Sequence, residues 1–193
     1  TEQRPTARTI SAEIDAIGGE FNAFTGKELT GYYVKCASDT RDVALDVLTD
    51  MLLHSRFDGE EIEKEKGVIL EEMNVYLDTP ARYVGSVYDR LLYDDQPLGW
   101  DILGTRETIE ATTRETFTSY LDAWYRPERI VVGIGGRLGD GLREKLEELL
   151  GGIAPASTGA PAPVSIPPDG SPVLLHTKQS EQAHVILGVR GYP

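Results

Sequence analysis

Between Gly151 and Gly170 the chain carries Pro155, Pro161, Pro163, Pro167 and Pro168 among Gly, Ala and Ser. Proline lacks the backbone donor and fixes φ, so this stretch can sustain neither a helix nor a sheet ladder. It reads as a largely extended linker that cannot join a packed core. The expected division is a first domain over 1–152, the linker over 153–170, and the opening strands of a second domain over 171–193. Those strands are Val173–His176 and Ala183–Val189. No internal repeat is visible, although two domains on a Pro-rich tether fit a duplicated architecture. Thr1-Glu2-Gln3-Arg4-Pro5 is neither a signal peptide nor a tag, and the last strand stops at Pro193 with nothing beyond it to pair. The chain therefore reads as a piece truncated at both ends.

Before the linker, hydrophobic spacing predicts mostly helices. Ala7, Ile10, Ile14 and Ile17 mark one over about 6–17, ended by Gly18-Gly19. Phe21–Thr25 and Leu29–Ala37 read as two strands of a hairpin around Gly26-Lys27. Asp39 or Thr40 can cap a helix running to about His54. Further helices are expected over Gly59–Leu77, from Pro80 to about Leu92, over Arg106–Ala111, Arg114–Trp124 and Gly141–Leu150. Asp94–Gly99 is a loop and Ile130–Ile134 a compact apolar strand. The fold class is α+β: a mixed, mostly antiparallel sheet carrying Phe21–Thr25, Leu29–Ala37 and Ile130–Ile134, covered by helices.

Composition removes several functions. Asp and Glu number 32 against 19 Lys and Arg, giving a formal charge of −13. Phosphates would be repelled by such a surface, so nucleic acid is excluded as a partner, whereas basic peptides would be attracted. No run approaches the roughly 18 apolar residues of a membrane span. The single Cys36 excludes an internal disulfide framework and points to a reducing compartment, with the cytoplasm as the default location.

His54, His176 and His184 form neither H-x-x-E-H nor H-E-x-x-H, so the chain has no self-sufficient zinc motif. His54 is most simply a cation near a helix C-terminus. There is no G-x-S-x-G, and Gly133, Gly135 and Gly136 do not make the dinucleotide fingerprint. The informative segment is Ile62–Tyr76. At 100° per residue, Ile62, Ile69, Met73 and Tyr76 share an apolar stripe that Val68 and Val75 extend on one side. Glu65 and Glu72 fall between these two groups, two turns apart on one face. Carboxylates in a half-buried stripe must be paired or bind a metal. On periodicity alone the simpler explanation is a salt bridge from another element or a broad polar margin of the helix. On the metal reading, the Glu72 carboxylate must not face bulk solvent or be clamped by an arginine far from Thr1. Gly67 costs about 1 kcal/mol against Ala within a helix and implies close packing by a neighbour.

In order along almost the whole chain, a set of motifs resembles the pitrilysin/insulinase family of zinc metallopeptidases, which includes the mitochondrial processing peptidases. They are Ile17–Thr25, Tyr32-Tyr33, Glu65 through Glu72, Asp78-Thr79-Pro80, Pro97–Thr105, Tyr125–Glu128 and Gln182-Ala183-His184. The resemblance implies a zinc endopeptidase acting on short or unfolded peptides and built from homologous domains that close around a chamber. It also implies an H-x-x-E-H helix with two His ligands and a Glu general base, followed by a third ligand that Glu72 matches. Glu65 matches a second acid that supports catalysis. Asn22, Ala23 and Phe24 match the family's edge strand, which takes up extended substrate by β-addition. Thr1 resembles the residue that closes the H-x-x-E-H helix, so the two His and the general base are expected upstream of this chain. Zn2+ is then the cofactor of the parent protein and should not be held tightly by these residues alone. The partners implied are peptide substrates and a second homologous domain or subunit. Two other readings compete: a catalytically inactive, peptide-binding scaffold subunit of the family, and a non-enzymatic α+β peptide-binding domain with salt-bridged glutamates.

Overall fold

The structure is a computed structural model that describes residues 1–156, 159, 162–165, 173–179 and 181–189. Helix α1 (Ala7–Ala16) starts where the Thr6 hydroxyl accepts the Thr9 amide and ends at Gly18, whose φ of +62° lets Gly19 N–H reach the Ile14 carbonyl. Strands β1 (Glu20–Thr25) and β2 (Thr30–Lys35) form an antiparallel hairpin with Glu20 opposite Lys35 and Thr25 opposite Thr30. Helix α2 (Arg41–Leu53) follows Thr40, then α3 (Gly59–Leu77) and α4 (Pro80–Tyr93), the last with Pro in its first turn. A 3-10 turn at Pro97–Gly99 leads to α5 (Arg106–Ala111), which carries a Thr105/Thr108 capping box. Helices α6 (Arg114–Trp124) and α7 (Leu142–Leu150) complete the regular structure of the described residues.

The chain divides into two compact units, one of residues 1–58 with 114–159, the other of 59–113 with 160–193. In the first, α1 and α2 pack on the hairpin and α7 on α2. Its core centres on Ile14 and Val47, at 0% and 1% exposure. Beside them lies an ion network around the buried pair Arg4 and Asp50, with the part-exposed Glu13 and Asp46 at its margin. The Arg4 guanidinium meets Glu13 of α1 at 2.9 Å, and Asp46 and Asp50 of α2 at 2.6 and 2.8 Å. Thr1 Oγ1 donates to Asp50 at 2.7 Å and accepts the Arg4 amide at 2.8 Å, while His54 Nδ1 sits 3.2 Å from the other Asp50 oxygen. Burial pushes the Asp50 carboxyl up, yet the bonds from Thr1 and Arg4, the Arg4 charge and His54 outweigh it and hold it below the usual carboxylate range. In the second unit α3 packs on α4 and α5, and α4 on the 3-10 turn.

The α+β class holds, and the seven helices of the described residues lie where the spacing puts them. The sheet is smaller than expected. Ile130–Ile134 is not a strand: no described strand runs beside it, and a lone extended segment has no ladder to join, so Val131 is 95% exposed. Val173–His176 and Ala183–Val189 likewise form no strand, for the same want of a partner. Instead, the His176 ring meets Tyr83 edge-on at 5.0 Å, and Lys178 pairs with Asp78 at 2.6 Å. The proposed linker 153–170 and the opening of a second domain at 171–193 lie partly outside the described residues.

Candidate functional site

Helix α3 carries both acids singled out by the sequence. Its inner face is fixed by Ile62 and Met73, each 8% exposed, with Ile69 and Tyr76 half-buried. Glu65 and Glu72 do share a face, but it is the outer margin, where Val68 and Val75 are 50% and 62% exposed. The expectation of a half-buried stripe is thus corrected. The inner apolar residues suffice to dock α3 on α4 and α5, and nothing described covers the Val68/Val75 side. Glu72 is exposed, so the condition set for the metal reading, a carboxylate turned away from bulk solvent, is not met among the described residues. Desolvation gives that reading no support, and only the family pattern carries it. Gly67 is corrected too: apart from its chain neighbours and its own helix backbone, no atom lies within 4 Å of where its Cβ would stand.

The neighbouring acids are ordinary helix-surface residues. Glu61 pairs with Lys64 and Glu63 with Lys66, both at 2.6 Å and three residues apart. Glu65 and Glu72, in contrast, make no hydrogen bond or ion pair among the described residues. Glu72 lines an open groove of about 830 Å³ together with Gly67, Val68, Val75, Tyr76 and Leu103. A catalytic zinc site takes three protein ligands and a water. Among the described residues no group of three His, Cys, Asp or Glu could hold a metal ion. His54 is bound to Asp50, and His184 Nε2 lies 3.0 Å from Gln182 Oε1. These residues do not fit zinc by themselves; Glu72 offers a single unpaired donor.

In the other unit, Asn22, Ala23 and Phe24 lie opposite Tyr33, Tyr32 and Gly31. The Ala23 amide donates at 2.8 Å to the side chain of its own neighbour, Asn22 Oδ1, and not across the ladder. In an antiparallel pair the amides alternate between partner and outside, so this one points to the free edge of β1. The Phe24 ring lies over Gly31, where a Cβ would overlap it. Tyr32 on β2 is anchored by a 2.6 Å bond between its hydroxyl and that of Tyr125. Burial, then the Tyr32 bond, push the Tyr125 phenol well above its usual range.

Residues 1–106 match the family described as Insulinase (Peptidase family M16), and residues 111–193 match the Peptidase M16 inactive domain. The chain belongs to the insulinase family. Zinc protease YmxG of Bacillus subtilis is 37% identical over 186 residues, covering 96% of this chain and 45% of the relative. A zinc protease of Mycobacterium leprae is 35% identical, covering 96% and 42%. Among solved structures, an M16-like peptidase from Alicyclobacillus acidocaldarius superposes with a TM-score of 0.70 and 27% identity, over 79% of this chain and 36% of that one. Pitrilysin shares the fold at a TM-score of 0.65 and 16% identity, over 83% and 18%. The chain spans just under half the length of the curated relatives it matches.

The sequence reading missed two sets of residues. Arg4 lies outside every regular element, and its only signal is the pair Asp46 and Asp50, like charges one turn apart that call for a cation between them. The Tyr76, Ser86 and Asp101 hydroxyl and carboxylate groups, which join in one chain, had no local signal at all.

Proposed function

We propose that this chain is part of a zinc-dependent endopeptidase that hydrolyses short or unfolded peptides, basic ones among them, in the cytoplasm. Residues 1–152 are most of its catalytic-type domain, 153–170 the linker, and 171–193 the opening of a homologous second domain. Glu72 is one ligand of the metal, Glu65 a second acid supporting catalysis, and Asn22, Ala23 and Phe24 the edge that takes up substrate. The two remaining ligands and the general base come from outside the described residues. One observation carries this reading: in a chain that matches zinc proteases over 96% of its length, the acid that the family pattern gives to the metal is left without an ion pair among the described residues.

The test is Glu72→Gln in the full-length protein, followed by metal analysis and by cleavage of an unfolded peptide. Loss of zinc with a fall of about 10³-fold in kcat/KM, several kcal/mol of transition-state stabilisation, is the expected result. Unchanged zinc and activity would remove Glu72 from the metal site. A wild type with neither zinc, peptidase activity nor a role in cleavage by a partner would favour the non-enzymatic domain. A wild-type protein that binds peptide but holds no zinc and cleaves nothing would favour the scaffold subunit, the reading to which the inactive-domain match lends some weight.

The edge strand is tested separately. Ala23→Pro removes the outward amide, and an edge position tolerates proline. Losing one backbone hydrogen bond to a peptide, worth about 1 kcal/mol, should raise KM several-fold and leave kcat nearly unchanged. An unaltered KM would remove Ala23 from the binding edge.

A further inference from the structure

Tyr76 lies one turn beyond Glu72 on α3 and lines the same groove. Its hydroxyl is 2.5 Å from Ser86 Oγ on α4, and Ser86 Oγ is 2.7 Å from Asp101 Oδ2 in the loop before α5. The sense of the chain follows from its end. An ionised carboxylate only accepts, and Asp101 takes the Ser86 proton on one oxygen and the Leu103 amide, at 3.0 Å, on the other. Ser86 then has no proton to give, so Tyr76 donates to Ser86. The Tyr76 hydroxyl also stands 3.5 Å from the Arg82 carbonyl, and its ring meets Tyr83 edge-on at 6.0 Å. One directional chain thereby ties α3, α4 and the loop before α5.

Other directional bonds tie α3 to distant residues, one near its middle from Lys66 Nζ to the Glu110 carbonyl at 3.1 Å and one at its end from Lys178 Nζ to the Leu77 carbonyl at 3.0 Å, but neither involves the turn between Glu72 and Tyr76. Ile62 and Met73 are its buried residues, and Glu65, Val68, Glu72 and Val75 are exposed. Apolar contact is non-directional and tolerates a small roll of the helix, whereas a hydrogen bond has a narrow range of distance and angle. Residues i and i+4 move together when a helix rolls, so what holds Tyr76 also aims Glu72.

From this geometry we propose that Tyr76, held by Ser86 and Asp101, is a positioning residue that fixes the rotation of α3 and hence the direction of the Glu72 carboxylate. The proposal rests on the reading in which Glu72 takes part in peptide hydrolysis. It is tested in the full-length protein with Tyr76→Phe, Ser86→Ala and Ser86→Thr. Ile14→Val serves as a stability control from the core of the other unit. Tyr76→Phe and Ser86→Ala should each lower kcat about ten-fold with KM within two-fold, the scale of effect for a residue that orients a functional group. Ser86→Thr, which keeps the oxygen, should restore kcat, and Ile14→Val should lower the melting temperature without touching kcat. Amide hydrogen exchange over residues 71–77 should quicken in the first two variants and not in Ser86→Thr. Unchanged kcat in Tyr76→Phe and Ser86→Ala, no rescue by Ser86→Thr, or an equal loss in Ile14→Val would overturn the proposal. An inactive wild type, or a fully active Glu72→Gln protein, would instead overturn the functional reading; hydrogen exchange alone then decides whether the chain of bonds fixes α3.

Discussion

In the unit built from α1, α2 and the hairpin, Asp50 is 6% exposed and is shared by Arg4, Thr1 and His54. In the unit built on α3, Glu65 and Glu72 stand exposed and bond to nothing among the described residues. Charge in a low-dielectric site must be compensated, and Asp50 is compensated by short bonds that close on the chain itself. Such an acid, with three of its roughly four acceptor sites taken and its side chain buried, has little capacity left for a ligand. An acid held outward on a helix without a partner contributes little to stability and keeps its lone pairs free. The same residue type therefore serves architecture in one unit and is available for chemistry in the other.

The largest effect that would sharpen this contrast is the loss of activity on Glu72→Gln, already described. Next in size is Asp50→Ala. Removing one partner of the buried pair leaves Arg4 under-compensated, and about 3 kcal/mol of unfolding free energy should disappear in denaturant titration of the full-length protein. A pH series gives the same network a second readout. The folded-state value of Asp50 lies below its unfolded one, so its contribution is fully present above the ordinary carboxylate value of about 3.9 and is lost as pH falls through the lower folded value. Asp50→Asn should therefore flatten the acid limb of the stability curve. An unaltered limb would show that Asp50 is not the group that the network protects.

A smaller effect concerns metal. Isolated residues 1–193 should retain no stoichiometric zinc after gel filtration, because the described residues offer no three-ligand cluster. Equimolar, tightly held zinc would break the view that Glu72 is a lone donor in this chain.

Much of this architecture was legible from local signals. The boundaries of α3, α5 and α6 follow from apolar spacing, and the hairpin from two β-rich runs around Gly26. That Ile130–Ile134 forms no strand was not, because strand formation depends on a neighbour and no periodicity in five residues reports whether one is present. The face of α3 was half legible. Periodicity grouped Glu65 with Glu72 correctly, but whether Val68 and Val75 are covered is a tertiary fact. The acid that really is buried, Asp50, escaped notice because its partner Arg4 is 46 residues away in sequence. The assignment of Glu72 to a metal came from family resemblance, not from burial, and the exposure of its carboxylate makes that dependence plain.

The smallest expected effect is also the most discriminating for the comparison. If Glu65 and Glu72 are held outward without partners, replacing either by Gln removes no bond and opens no cavity. Surface substitutions of this kind fall within about 0.5 kcal/mol of wild type. Glu65→Gln and Glu72→Gln in the metal-stripped full-length protein should therefore unfold at the wild-type denaturant midpoint, or slightly above it, because the chain is strongly acidic and loses one repulsive charge. Metal removal matters here, since bound zinc would add its own stabilisation and mask the comparison. A loss above 1 kcal/mol in either variant would mean that the acid is structurally engaged, as Asp50 is, and the division of labour between the two units would fail at that residue.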